Sequence, residues 1–263
     1  MQIRGIGGLL IAVLIVASSS CSTDVPDQMD AERAEDGGDG EAHWSYAGDT
    51  GAESWGRLDP AFATCDTGVQ QSPVDLAGAI RAGGDGPEVQ WRPTGAQVLN
   101  NGHTIQVDMA EGSSITLEGR RFSLLQFHFH LPSEHLVDGA SSPMEAHFVH
   151  RADEGDLAVV GVFMDIGEAH TAIQSIWEAI PDIGEAPSAL AGLDPNAFLP
   201  EGDGHFRYAG SLTTPPCSEV VSWVVMTESI DVSRAQVDAF AAMYPMNARP
   251  VEPLHRRFIL LRQ

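Results

Sequence analysis

The sequence predicts a strand-dominated domain of mixed α+β class, folded as one unit. Short runs rich in Val, Ile and Phe recur between clusters of Gly, Pro, Asn and Asp, which is the signature of strands joined by turns. Only two stretches, 168–180 and 233–243, space their apolar residues at helical intervals. After residue 43 the composition does not shift and no segment repeats, and 263 residues with 43% hydrophobic content suffice for one large core or at most two small domains. The clearest strands are 114–117, 124–129, 146–150 and 158–164, each short and bounded by turn-forming residues.

The N-terminus has a different character. Arg4 precedes an apolar stretch of 13 residues, 5–17, followed by Ser18, Ser19 and Ser20. This falls short of the roughly 20 residues that span a bilayer, so 1–20 is expected to be a secretory signal. Export implies oxidising surroundings. Cys21, just after these small residues, resembles a bacterial lipoprotein site at which the mature chain begins with an acylated cysteine. Ser18 stands where such sites usually carry Leu, so plain signal cleavage nearby stays open beside lipidation. Residues 21–42 are rich in Asp, Glu and Gly and are expected to be a disordered acidic linker, a tether if Cys21 is lipidated. The folded domain is then 43–263, periplasmic or attached to the cell envelope, or else secreted, with no membrane insertion beyond a lipid anchor.

The chain has no lysine, and its 14 arginines face 37 acidic residues for a formal charge of -23. Nucleic acid and anionic membrane surfaces are therefore poor partners, since binding phosphates needs an excess of positive charge. An acidic surface of this kind suits a salty medium, where screening relaxes self-repulsion.

The chemistry is concentrated in Gln126-Phe127-His128-Phe129-His130 and Glu145-Ala146-His147. In a strand, residues two apart share a face, so His128 and His130 point one way while Phe127 and Phe129 enter the opposite apolar layer. A neighbouring strand through His147 supplies a third imidazole. Zinc that performs chemistry is held by three protein ligands with a fourth position open, whereas structural zinc is closed by four and favours Cys. Three histidines without clustered cysteines favour the open kind. An isolated His-x-His is commonly a half-buried pair with no metal, but Gln126 and Glu145 each lie two residues before a ligand and on its face. Ligating histidines give their other ring N–H to such partners.

Taken with His43-Trp44-Ser45-Tyr46, Gln71-Ser72-Pro73-Val74, Asn100-Asn101-Gly102-His103, Ser133-Glu134-His135, Leu157-Ala158-Val159-Val160-Gly161, Gly210-Ser211-Leu212-Thr213-Thr214-Pro215-Pro216 and Asn247-Ala248-Arg249-Pro250, these strands resemble the alpha-class carbonic anhydrases from about His43 to Leu261. The resemblance implies a large, mostly antiparallel central sheet of about ten strands with short peripheral helices. It implies one Zn2+ per chain on His128, His130 and His147, with Gln126, Glu145 and Asn247 behind the ligands. Zinc-bound hydroxide would attack carbon dioxide to give bicarbonate and a proton. The lowering of a zinc-bound water's pKa to about 7 is a known property of carbonic anhydrases as a class, and it extends to this chain through the resemblance alone.

Further roles follow from the same resemblance. Val149, Val159, Leu212, Val221 and Trp223 form the apolar wall where carbon dioxide waits, with Thr214 contacting bicarbonate. Tyr46, Asn101 and Gln106 form the polar wall with His103, which occupies the proton-shuttle position; histidine suits that task because it titrates near neutrality. Thr213 donates to Glu134, a carboxylate that only accepts, and is left to accept from the hydroxide. His135 and His150 match structural positions, and His43, His170, His205 and His255 are read as surface or structural. Exported relatives carry a disulfide where Cys65 and Cys217 stand, a bridge that closes about 150 residues and stabilises by about 4 to 5 kcal/mol in the chain-entropy account. Such relatives are often homodimers, though the sequence marks no interface. Leu131, Arg151, Ser45 and Ala209 depart from the usual pattern beside the site without removing a ligand. Two other functions stay open: a zinc hydrolase acting on activated esters, and a non-enzymatic envelope binding module, which such scaffolds become when ligand histidines are lost.

Overall fold

Thirteen strands join in one sheet in the computed structural model, which describes residues 42–263. The signal segment, Cys21 and the acidic linker to residue 41 lie outside the described residues. In chain order the strands begin with β1 (Ile80–Arg81), β2 (Glu88–Gln90), β3 (Thr94–Asn100), β4 (Ile105–Met109) and β5 (Ser114–Leu117). The long central strands follow: β6 (Arg120–His130), β7 (Met144–Arg151) and β8 (Leu157–Ile166). Then come β9 (Ser188–Leu193), β10 (His205–Gly210), β11 (Val221–Met226), β12 (Ile230–Val232) and β13 (Leu260–Arg262). The main path has the ten strands β1-β13-β10-β11-β8-β7-β6-β4-β3-β9, with β2, β5 and β12 paired to its side.

The sheet is mixed. β8 runs parallel to both β11 and β12, and β1 runs parallel to β13, while the other pairings are antiparallel. The expectation of a mostly antiparallel sheet therefore holds with three parallel pairings that the sequence did not indicate. Each joins strands far apart in the chain, which no local turn signal specifies. The continuous apolar run of β8 reflects its place: eight consecutive residues from Leu157 are buried, as expected of a strand covered on both faces. β5 keeps the expected bounds, whereas β6, β7 and β8 overrun the apolar segments that predicted them. β6 reaches Arg120 because it closes a hairpin with β5 across Glu118 and Gly119, both in the left-handed region.

Helices are short and peripheral: α1 (Trp55–Leu58), α2 (Thr64–Thr67), α3 (Thr171–Trp177) and α4 (Arg234–Met243). α4 starts where its sequence says, at a capping box in which Ser233 and Gln236 satisfy each other's backbone. α3 is shorter than the 168–180 spacing suggested, because His170 caps it and accepts from the Ile173 amide. Phe127, Phe129 and Phe148 enter one apolar layer with Phe198 and Phe240. The alternate residues of β6 and β7 face the other side, where the histidines gather.

His150 is fully buried; its Nδ1 lies 2.8 Å from the Phe148 carbonyl and the Trp91 indole N–H donates to its Nε2 at 3.0 Å. These bonds specify a neutral ring, and burial pushes its pKa down to about 4. The folded state then binds fewer protons than the unfolded chain between pH 4 and 6.5. The stability tied to His150 is complete above pH 6.5 and drains as pH falls to about 4, amounting to about 3 kcal/mol. Urea unfolding across this window should show a shallower pH slope in His150→Gln than in the parent; equal slopes would refute the assignment.

Candidate metal centre

Strand register assembles the site. His128 on β6 sits directly opposite His147 on β7, and Gln106 on β4 sits opposite His128 from the other side. The next row across the sheet runs Asp108, Gln126, Val149, Val159, Trp223 and Tyr208. One face thus grades from polar at β4 to apolar at β8 and β11, because side chains of paired residues stand side by side.

His128, His130 and His147 are each at most 7% exposed, and one ring nitrogen from each lies within 4.8 Å of the other two. Their remaining nitrogens are engaged. His128 Nδ1 lies 2.9 Å from Gln126 Oε1, His130 Nδ1 lies 2.8 Å from the Asn247 carbonyl, and His147 Nε2 lies 3.0 Å from Glu145 Oε1. That leaves Nε2 of His128, Nε2 of His130 and Nδ1 of His147 facing the common point. His130 Nε2 is buried with no hydrogen-bond partner among the described residues. Burial, then the neighbouring imidazoles, hold His128 well below its ordinary value, and burial likewise lowers His130. Three imidazoles converging in a buried pocket, with His128 and His130 held neutral by burial, fit a zinc ion. A second cluster, His135, Glu145 and His147, also has ligand spacing. It is consumed internally, since His135 spends Nδ1 on Glu145 Oε1 at 2.8 Å and Nε2 on the Tyr208 hydroxyl at 2.6 Å.

Glu145 does more than orient His147. Its Oε2 accepts from the backbone amides of Glu134 and His135, both at 2.9 Å, while Oε1 serves His135 and His147. Burial alone pushes this carboxyl up, but His135 and His147 outweigh that and hold it well below the usual carboxylate range. Gly161, opposite His147 on β8, makes room for it: a Cβ there would stand 2.8 Å from Glu145 Oε1. Sequence reasoning gave Glu145 one histidine and missed both the second and the glycine.

Glu134 is fully buried; its Oε1 accepts from the Arg249 amide at 2.7 Å. The expected hydrogen bond from Thr213 is not formed. Glu134 Oε2 accepts none among the described residues and instead lies 3.5 Å from His130 Nε2 and 3.7 Å from His147 Nδ1, the nearest ring nitrogens. Thr213 is buried in the loop after β10, which is drawn closed by the Cys217 amide to the Thr214 carbonyl and by the Leu212 amide to the Ser218 carbonyl. Cys217 bonds Cys65 across 152 residues, and Arg249 ties that staple to the site through Gln71, the Ser72 carbonyl and the Cys65 carbonyl. Asn247 carries two tasks, since its side chain also accepts from the Leu131 amide.

Val149, Val159, Val221 and Trp223 are buried, and Leu212 and Thr214 are half-buried. On the polar side, Asn101 donates to Gln106 Oε1 and Gln106 donates to Asp108 Oδ1 at 2.7 Å, so Asp108 sets the direction of the Gln106 amide. Tyr46 packs edge-on against Trp44 and Trp55. His103 stacks flat on Trp44 at 3.8 Å, and burial, aided by nearby His43, lowers it to about 4.

Comparison with known proteins agrees with this geometry. The family model for eukaryotic-type carbonic anhydrase matches residues 50–263. A carbonic anhydrase of Nostoc sp. is 43% identical over 225 residues, covering 83% of this chain and 85% of that protein. The structure of the alpha-carbonic anhydrase from Thermovibrio ammonificans with sulfanilamide superposes with a TM-score of 0.81 at 42% identity, covering 84% of this chain and all of that one. That of Photobacterium profundum alpha-carbonic anhydrase gives 0.79 at 41%, covering 83% of this chain and all of that one.

Proposed function

This chain belongs to the eukaryotic-type, or alpha-class, carbonic anhydrases, enzymes that interconvert carbon dioxide and bicarbonate, and on that premise we propose that His128, His130 and His147 hold its zinc. The observation that carries this is the convergence of three imidazoles whose other nitrogens are all engaged. When bound there, zinc supplies a strong nucleophile near neutral pH by lowering the pKa of a coordinated water.

The protein residues supply position and exclusion. Val149, Val159, Leu212, Val221 and Trp223 offer an uncharged substrate an apolar surface beside the ligands. Thr213 would orient the attacking oxygen once its hydroxyl turns to Glu134 Oε2, an acceptor unused among the described residues, and so is left to accept in turn. Arg249 holds the other oxygen of Glu134 and so keeps Oε2 turned to the site. Thr214 bonds the product. Asn101, Gln106 and Asp108 form a fixed polar wall leading toward His103.

His103 receives the proton. At about 4 its imidazole is a poor acceptor near neutrality while it lies on Trp44, so the relay requires the ring to turn off Trp44 into water, where burial no longer lowers it. His103→Ala is expected to slow hydration by about tenfold to 10²-fold in dilute buffer, with recovery in concentrated imidazole buffer. A variant indifferent to buffer strength would remove His103 from the pathway.

Export through the N-terminal segment, with Cys21 as an acyl site, is proposed for localisation; the disulfide is compatible with an oxidising compartment. Stopped-flow hydration of carbon dioxide by the 43–263 domain, with and without a zinc chelator, tests the assignment. Fast hydration lost on chelation and restored by zinc is the expected result. Retained zinc with ester hydrolysis but no hydration would favour a hydrolase instead.

A further inference from the structure

On the face of β10 away from the metal centre, Arg207 alternates with Tyr208, whose hydroxyl reaches His135 on the other side. Arg207 is nine-tenths buried, yet its Nε and Nη1 have no acceptor among the described residues. Arg262 on β13 has the same deficit at Nε. His205, directly opposite Arg262 in the β10–β13 pairing, turns Nδ1 to the Asp203 carbonyl, so its buried Nε2 is an acceptor that finds no donor among the described residues. A guanidinium carries five donors and no acceptor, so three buried, unanswered guanidinium N–H groups in one cluster require an acceptor from elsewhere.

The groups around them do not supply it. Glu118 Oε1 stands 3.5 Å from Arg207 Nη2 and 3.8 Å from Arg262 Nη2, beyond hydrogen-bond reach, and its side chain is 65% exposed. Arg262 Nη1 donates to the Asp85 carbonyl and His205 Nδ1 lies against the Asp203 carbonyl, both at 2.8 Å and both uncharged. Only the largely solvated Glu118 carboxylate comes near both guanidiniums, with Asp203 acting on His205, inside a chain of charge -23. The segment covering the cluster contains Gly84 and Gly86, where a Cβ would stand 3.2 Å from Arg262 Cζ and 3.1 Å from His205 Cε1. A Cβ at either position would crowd these side chains by a few tenths of an ångström.

We infer that Arg207 and Arg262, bordered by His205, form a binding site for a small oxyanion of the sulfate, phosphate or bicarbonate class, which takes the position now held loosely by the Glu118 carboxylate. Paired guanidiniums suit this class because they present parallel N–H groups to two oxygens at once. The site is separate from the metal centre and needs no catalytic role; it would tie β10 to β13 beneath the loop that carries Thr213.

Calorimetric titration of the zinc-loaded protein with sulfate, at ionic strength held constant with chloride, tests it. A saturable response of one sulfate per chain is expected. Arg262→Gln should weaken it by about tenfold or more, since a charge-assisted bond is lost. Glu118→Gln, at an exposed position, should tighten it several-fold by removing the competing carboxylate. Both variants should hydrate carbon dioxide at the parental rate. Bicarbonate that displaces sulfate would identify the reaction's own product as a ligand, whereas failure to displace it would restrict the site to tetrahedral anions. A response equal in chloride and sulfate, or one that Glu118→Gln leaves unchanged, overturns the proposal; this second variant decides the matter even if Arg262→Gln does not fold.

Discussion

His128→Ala is expected to lose both zinc and hydration, with activity falling to that of the zinc-stripped protein. Three ligands are the minimum at a catalytic zinc, and two imidazoles leave the ion without a defined open position. The second ring nitrogen of His128 is held by Gln126 on the same strand, so replacing His128 disturbs no distant loop. Gln126→Leu makes a graded companion. It leaves the ligand in place but frees its ring to turn and removes the acceptor for Nδ1, which should cost about 10- to 100-fold in zinc affinity. Equilibrium competition with a chelator measures both. Full zinc occupancy in His128→Ala would show that the three-histidine assignment is wrong.

The largest loss of stability is expected from Glu145→Ala. This carboxylate is fully buried and serves two backbone amides and two imidazoles. Its removal strands those donors away from water, at about 1–3 kcal/mol for each polar group left unsatisfied. Because part of the deficit relaxes, the expected total is about 3–5 kcal/mol, the range for breaking a buried pair from one side. Gly161→Ala should act on the same group from the opposite strand. Its methyl would stand 2.8 Å from Glu145 Oε1, so the carboxylate must move or β8 must shift. Zinc affinity should fall in both variants through His147, whereas stability should fall further in Glu145→Ala. Urea unfolding with parallel zinc competition separates the two readouts. A loss below about 1 kcal/mol in Glu145→Ala would mean that water replaces the carboxylate.

The convergence of His128, His130 and His147 was legible because strand periodicity is a local property. His128 and His130 share a face by their spacing alone, and Gln126 and Glu145 are placed behind ligands by the same two-residue rule. Helical spacing likewise marked the start of α4, and the apolar segments of β5, β7 and β8 announced themselves by composition. Motif order carried the family, and with it the expectations for Thr213, Glu134 and His103.

What sequence alone determined, then, was the strand-rich class, the three histidines and their nearest partners, because each depends on residues a few positions apart. Tertiary structure decided the rest. Which nitrogen of each imidazole faces the centre depends on partners as distant as Asn247, 117 residues from His130. The second imidazole on Glu145, the room left by Gly161, the grip of Arg249 on Glu134 and the lowered pKa of His103 against Trp44 arise where separate strands and loops meet. So do the parallel pairings of β8 and β13, since register between strands distant in the chain is set by packing and leaves no periodic trace in either one.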